Sequence, residues 1–275
     1  MYRRKIKKNR KRKRRDNKFN KIFKIILIIT FFILNIYYYI FSSCREKKFM
    51  RELANFKTFS QVYEDLILFI LLYDVKKGFY IDIGAYDPTK ISVTKYFYLR
   101  GWHGINIEPQ KNKIKLFEKD RPRDTNLEIA VGNYEGNVTF YIQGDGSTIQ
   151  KKYSRGKLSG INIKIDTMSN ICRKYVPKGI KIDFCKIDIE GGERDALLGY
   201  DFINYRPKIF CVESAVPGTE QPNYQLWEEI LIKNGYTFVF SKIINRFYVD
   251  NKYPKIIKRV EYIKEYFNKM NIIKK

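Results

Sequence analysis

GFYIDIGAYDPTKISVTKYFYLRGWHGINIE, residues Gly78–Glu108, decides how the rest of the chain is read. An apolar run, Phe79-Tyr80-Ile81-Asp82-Ile83, ends in Gly84 followed by the small Ala85. A second run, Gly104-Ile105-Asn106-Ile107, ends in Glu108. Strand, tight turn, helix, strand and terminal acid make the layout of a half-Rossmann nucleotide pocket. Gly84 would let the backbone approach a ligand with no Cβ in the way. An acid that ends the second strand is placed to accept hydrogen bonds from a ribose diol. A dinucleotide fold would carry Gly-x-Gly-x-x-Gly here, but Ala85, Tyr86 and Asp87 follow a single glycine. The missing glycines argue against a pyrophosphate cradle. They suit a ligand with an adenosine and no phosphate, which points to S-adenosylmethionine.

Outward from this stretch, apolar strands alternate with helical segments. Residues 61–74 repeat apolar side chains at helical spacing, and Thr58 stands as the N-cap of an amphipathic helix. The spacing predicts a helix from Ser92 to Arg100 and a third strand over Leu127–Val131. Val138–Ile142 reads as an extra antiparallel strand, Gly144–Lys157 as a polar loop beside the site, and Gly160–Ile165 as a further strand. Asp166 stands as the cap of the helix Thr167–Tyr175. Ile182–Ile187 is an apolar strand that ends in Asp188-Ile189-Glu190-Gly191-Gly192, and Lys208–Val212 is one that ends in Glu213. Pro222–Asn234 is helical, and Tyr236–Phe240 with Phe247–Val249 forms a closing hairpin. The alternation implies an α/β fold: a Rossmann-like, mostly parallel sheet covered on both faces.

Both ends of the chain are basic. The formal charge is +25 over 275 residues. Residues 1–24 hold 14 Lys/Arg and one acid, Asp16, a net +13; the other 251 hold 40 Lys/Arg and 28 Asp/Glu, a net +12. Residues 22–43, IFKIILIITFFILNIYYYIFSS, are long and apolar enough to cross about 30 Å of hydrocarbon as one helix. The expected organisation is a basic cytoplasmic arm (1–21), a transmembrane anchor (22–43), a linker helix (44–57), a catalytic domain (58–250) and a basic amphipathic tail (251–275). That topology is single-pass with the N-terminus cytoplasmic. The side of the domain stays open, because Arg45, Lys47, Lys48 and Arg51 make the far flank basic as well. The tail over Ile256–Ile273 has an apolar face that suits docking onto the domain or lying on a membrane surface. Four cysteines, Cys44, Cys172, Cys185 and Cys211, show no metal spacing and read as free thiols, with Cys44 a candidate for acylation.

Six landmarks, in order over residues 58–240, resemble the FkbM family of S-adenosylmethionine-dependent methyltransferases. They are Ser60-Gln61 with Glu64-Asp65-Leu66; Asp82-Ile83-Gly84-Ala85 with Asp87-Pro88; and Gly101-Trp102-x-Gly104 with Glu108-Pro109. Then come Asp166-Thr167-Met168; Lys186-Ile187-Asp188-Ile189-Glu190-Gly191-x-Glu193; and Glu213. The resemblance implies a seven-stranded class I methyltransferase sheet and a methylated hydroxyl of a glycan, glycolipid or related small molecule. It implies that Asp82 and Gly84 shape the methionine and ribose side of the pocket and that Glu108 holds the ribose. Ser60 and Gln61 would close over the cofactor, and Ala130 and Val131 would lie near the adenine.

Asp188 and Glu190 are the candidate catalytic pair, since a hydroxyl acceptor must lose a proton to a positioned base. The competing role for both is structural, accepting backbone N–H bonds in the Glu190-Gly191-Gly192 turn. Ile189 between them sends both side chains to one face if the strand geometry continues. Glu213 is a candidate substrate contact or, equally, a cap of its strand end. Hard oxygen ligands would suit magnesium on Asp188, Glu190 and Glu213, but the sequence fixes no such set and no metal is predicted. His103, the single histidine, reads as a solvated turn residue. The competing functions are a catalytically inactive, membrane-tethered binding module and a nucleic-acid methyltransferase recruited by the basic arm, the partner least expected.

Overall fold

A computed structural model describes residues 46–154 and 160–269. The expected cytoplasmic arm, the transmembrane anchor and Cys44 lie outside these residues. Among the described residues no helix is long and apolar enough to cross a membrane. The chain divides into two compact units, residues 1–56 and 57–275. In the first, residues 46–54 are helical.

The second unit begins with α1 (Glu64–Leu71), then β1 (Phe79–Ile83), α2 (Lys95–Leu99), β2 (His103–Ile107) and α3 (Lys111–Asp120). Next come β3 (Thr125–Leu127), β4 (Ala130–Gly132), β5 (Gly136–Phe140), β6 (Ile161–Thr167) and α4 (Met168–Tyr175). The chain continues with β7 (Phe184–Ile187), α5 (Glu193–Leu198), β8 (Ile209–Glu213), α6 (Glu228–Lys233), β9 (Tyr236–Lys242) and β10 (Asn245–Asp250). It closes with α7 (Pro254–Lys258) and α8 (Val260–Lys269).

Seven strands form one sheet in the order β3-β2-β1-β7-β8-β10-β9. The pairs from β3 to β8 are parallel; β10 runs antiparallel to both its neighbours. Residues 79, 81 and 83 of β1 pack into a core with Met168, Ile171, Ala196, Leu197 and Leu231 from α4, α5 and α6. The opposite face carries Tyr80 stacked on Phe184, with Phe97 and Trp102 against that ring. All five residues of β1 are therefore buried, as expected for a parallel strand covered on both faces. The chain winds from β1 outward through β2 to β3, then returns to place β7 on the other side of β1. This reversal puts a topological switch point between β1 and β7, and open α/β sheets bind ligands beyond the strand ends there.

Several local expectations are corrected. The third strand splits: β3 extends the main sheet, and β4 joins β6 and β5 in a separate three-stranded sheet, so Ala130 and Val131 belong to the smaller one. Segment 61–74 is helical only over α1, and α1 is buried on every side rather than amphipathic. Thr58 does not cap it. The Thr58 hydroxyl donates to Asp65 Oδ1 (2.7 Å), and Tyr63, in the left-handed region, occupies the cap position. Thr167, not Asp166, caps α4 by accepting from Asn170 N (3.2 Å), while Asp166 accepts from Asn170 Nδ2 (2.7 Å). Two further segments are shorter than expected: α2 begins at Lys95, and the 222–234 segment holds a turn of 3₁₀ helix before α6. The tail docks. Ile256, Val260, Ile263 and Phe267 are buried, and Arg259 donates to both Asp74 carboxylate oxygens (2.7 and 2.6 Å). Cys172, Cys185 and Cys211 are buried free thiols.

Gly84 is where β1 must turn, and its backbone is left-handed (φ +77°). A Cβ there would meet the Asp188 carbonyl oxygen at 1.8 Å. The glycine therefore makes room for the neighbouring strand end, and it also lines the cavity at the switch point. Gly101 is also left-handed (φ +85°), but a Cβ there would meet nothing within 4 Å. Gly101→Ala is expected to cost about 1–2 kcal/mol from backbone strain alone. Gly84→Ala should cost at least about 3 kcal/mol, because backbone overlap adds to that strain. Urea denaturation of the two variants side by side checks this; equal losses would refute the packing account.

Candidate active site

Four strand ends converge at the switch point. The end of β1 carries Asp82 and Gly84, β2 leads to Glu108, β7 leads to Asp188 and Glu190, and β8 ends in Glu213. A cleft opens there, where open α/β sheets place their ligands. Its apolar wall is Ile83, Ile107, Ile129, Ala130, Val131 and Phe140. Its polar edges are Glu108 at one side and Asp188 with Glu190 at the other. Gly84 and Tyr86 from the turn after β1 also line it, as do Gly144, Ser147 and Ile149 from the polar loop after β5.

Glu108 is buried, and burial raises its pKa against the pull of its hydrogen bonds. Its Oε2 accepts from Tyr86 N (3.0 Å) and its Oε1 from Gln110 N (2.9 Å). Two backbone donors thus fix the carboxylate's orientation, and a carboxylate has lone pairs left for two more donors. Tyr86 N is presented because the chain after Gly84 turns sharply; Tyr86 itself has φ +55°.

Asp82 does not line the cavity. Strand register sets it between Asn106 and Lys186. Its Oδ2 accepts from Thr94 Oγ1 (2.9 Å), and its Oδ1 lies 3.6 Å from Lys186 Nζ. The buried Arg121 donates in turn to Thr94 Oγ1 (2.6 Å), to Ser92 Oγ (2.6 Å) and to the Pro88 carbonyl, which holds the segment between β1 and α2 in place. Ser60 and Gln61 also lie off the cavity lining. They precede α1 rather than belonging to it; Ser60 Oγ donates to Asp65 Oδ1 (2.7 Å) and Gln61 is exposed. His103 begins β2, at the end of the sheet away from the site, and packs edge-on against Phe79.

Lys186 is a site group that neither periodicity nor turn chemistry singles out. Its side chain is buried in the middle of the sheet. Nζ donates to the Gly84 carbonyl (2.9 Å) and lies 3.3 Å from Asp188 Oδ2 and 3.6 Å from Asp82 Oδ1. The flanking carboxylates outweigh desolvation and raise its pKa, so it stays charged. The available signal is a lysine inside an apolar strand, a position that a charged residue occupies only when paired.

Beyond β7 the strand geometry does not continue. Glu190 is left-handed (φ +54°) and Gly191 follows with φ +97°, so the pair Asp188 and Glu190 reaches the cavity by a turn and not by strand alternation. Thr148 Oγ1 donates to the Glu190 carbonyl (2.8 Å) and ties the polar loop to this turn. Glu193 Oε1 accepts from Ile189 N and Gly191 N (both 3.1 Å). Glu213 is buried, and one of its oxygens, Oε2, has no hydrogen-bond partner. Burial, reinforced by the carboxylates of Asp188, Glu193 and Glu190, pushes its pKa well up. One carboxylate oxygen from each of Asp188, Glu190 and Glu213 lies within 4.8 Å of the others, a convergence across two strand ends that no spacing in the sequence displays.

The FkbM methyltransferase domain matches residues 82–238, from the end of β1 into β9. The match covers more than half of the chain, and the chain belongs to this methyltransferase family. Among solved structures, an FkbM methyltransferase from Methylobacillus flagellatus KT aligns at 14% identity with a TM-score of 0.39. That alignment covers 62% of this chain and 43% of the other, so the chain spans under half of that protein's length. No curated protein matches the chain.

Burial raises the Glu193 pKa from 4.5 to about 7. A carboxyl raised in the native state favours folding when protonated, and that contribution is lost as pH rises through the native pKa. Stability should therefore fall between about pH 4.5 and 7. Glu193→Gln keeps an oxygen for the two N–H groups and does not titrate. It should flatten the fall in denaturation midpoint across this window; an unchanged slope would assign the fall to other groups.

Proposed function

We propose that this chain is an S-adenosylmethionine-dependent O-methyltransferase whose acceptor is a hydroxyl of a glycan, glycolipid or related small molecule. The observation that supports the reading best is the cavity at the β1/β7 switch point, inside the family match, with Glu108 at one edge and Asp188 and Glu190 at the other. Its chemistry suits the donor. The aliphatic wall, with Phe140, offers a slot for a flat base. Glu108, held by Tyr86 N and Gln110 N, offers free lone pairs to a ribose diol. S-adenosylmethionine, when bound, supplies a methyl group on a positively charged sulfur and departs as a neutral thioether, so no acid is needed for the leaving group.

The chain then has two tasks. One is alignment: Glu108 and the apolar wall fix the nucleoside, and orientation of this kind supplies several kcal/mol of a barrier. The other is removal of the acceptor's proton. Asp188 and Glu190 open onto the cavity, and one of these carboxylates takes that proton as the base. Asp82, Gly84 and Lys186 position the β1 turn from beneath. The arm and the apolar run over 1–43 underlie a further part of the proposal, that the enzyme is tethered to a membrane near its acceptor.

Isothermal titration of the full-length chain with S-adenosylhomocysteine is expected to give micromolar binding. Glu108→Ala should weaken it by at least about tenfold, the effect of losing charged hydrogen bonds to the ribose. Asp188→Asn should keep that binding and lower transfer of labelled methyl to glycan or lipid fractions by about a hundredfold or more, the usual share of a positioned base. Label entering only nucleic acid would refute the acceptor assignment, and absence of nucleoside binding would leave a binding module.

A further inference from the structure

Three carboxylates converge beside the cavity: Asp188 and Glu190 line it, and Glu213 is buried with one oxygen that no protein donor reaches. Glu213 is 6% exposed, and its Oε2 has no hydrogen-bond partner. Native structures satisfy buried polar atoms, so an orphaned carboxylate oxygen signals an absent partner. Among the described residues the nearby cation is Lys186, and it is already engaged with the Gly84 carbonyl and with Asp82 and Asp188. A proton shared between Glu213 and Asp188 is the competing account of that oxygen; a cation, unlike a proton, also accounts for the third carboxylate within the same 4.8 Å.

The geometry points to a divalent-cation site formed by Asp188, Glu190 and Glu213. Hard oxygen donors without histidine or thiolate select magnesium, manganese or calcium. Oxygens bound about 2.1 Å from magnesium, or about 2.3–2.6 Å from calcium, lie at most about 4–5 Å apart across the ion, which matches the observed convergence. Glu213 supplies the buried, fixed ligand from the end of β8. Asp188 and Glu190 follow β7 and are partly exposed on the cavity, which gives the ion a path in. Three protein donors leave coordination positions for the acceptor, and the fitting acceptor class is a chelating one: a hydroxyl with a second oxygen on the adjacent carbon. That role rests on the methyl-transfer reading above; binding of the cation does not.

The test is a titration of the full-length chain with Mn²⁺, followed by the electron paramagnetic resonance signal of the free ion. The expected result is saturable binding of a single Mn²⁺, competed by Mg²⁺. Glu213→Gln and Glu190→Gln, which keep side-chain size, should each weaken it by at least about tenfold. Thermal melting and S-adenosylhomocysteine titration accompany each variant. Should Glu213→Gln lose its melting transition, the partly exposed Glu190→Gln decides alone. Absence of saturable Mn²⁺ binding, or binding unchanged in the folded variants, overturns the site. Nucleoside binding without Mn²⁺ binding removes the cation site and spares the methyltransferase reading. Mn²⁺ binding without nucleoside binding does the reverse.

Discussion

A buried ammonium holds the site together. Lys186 Nζ touches the Gly84 carbonyl, Asp82 and Asp188, and so ties the turn after β1 to the end of β7. A charge at this depth is stable only while its partners remain, and removing one partner typically costs about 3–5 kcal/mol. The same contact explains why the neighbouring residue is glycine: with the two strand ends drawn together, the Asp188 carbonyl occupies the space a Cβ at Gly84 would need. Asp82 has a partner on its other side in Thr94, which Arg121 connects to the segment between β1 and α2. Lys186, Asp82, Thr94 and Arg121 thus form one continuous polar framework around the turn after β1.

Above that framework the carboxylates divide by environment. Glu108 and Glu193 are buried and each accepts two backbone N–H bonds, so both act as fixed parts of their turns. Asp188 and Glu190 face the cavity, and Glu213 is buried behind them with an unsatisfied oxygen. Under the methyl-transfer proposal, Glu108 would face the nucleoside and the convergent acids the acceptor. The loop after β5 lines the cavity through Gly144, Ser147 and Ile149 and is tied to the Glu190 carbonyl by Thr148.

Much of the fold is legible in the residue order. Period and turn chemistry locate β1, β2, β7, β8 and the final hairpin, because buried parallel strands read as short apolar runs bounded by glycine and acids. They place Ala130 and Val131 in the wrong sheet, since the run Leu127-Glu128-Ile129-Ala130-Val131 does not reveal that the chain changes sheet within it. They misassign the caps at Thr58 and Asp166, where several hydroxyl and carboxylate side chains compete for the same few N–H groups. Asp82, Ser60 and Gln61 stand in the landmarks expected to meet the ligand, yet Asp82 is engaged with Thr94 and Lys186, Ser60 with Asp65, and Gln61 is exposed to solvent.

By itself, the sequence determined the α/β class, the order of the landmarks and the family, because local periodicity and residue order survive in a linear string. The tertiary structure decided which of those residues share a site. Lys186 and Asp82 lie 104 positions apart in the chain and become neighbours only through parallel pairing of β1 with β7. Glu213 joins Asp188 and Glu190 only because β8 pairs beside β7. Such contacts are set by strand register and by what must be buried together, quantities that no local pattern in the chain records.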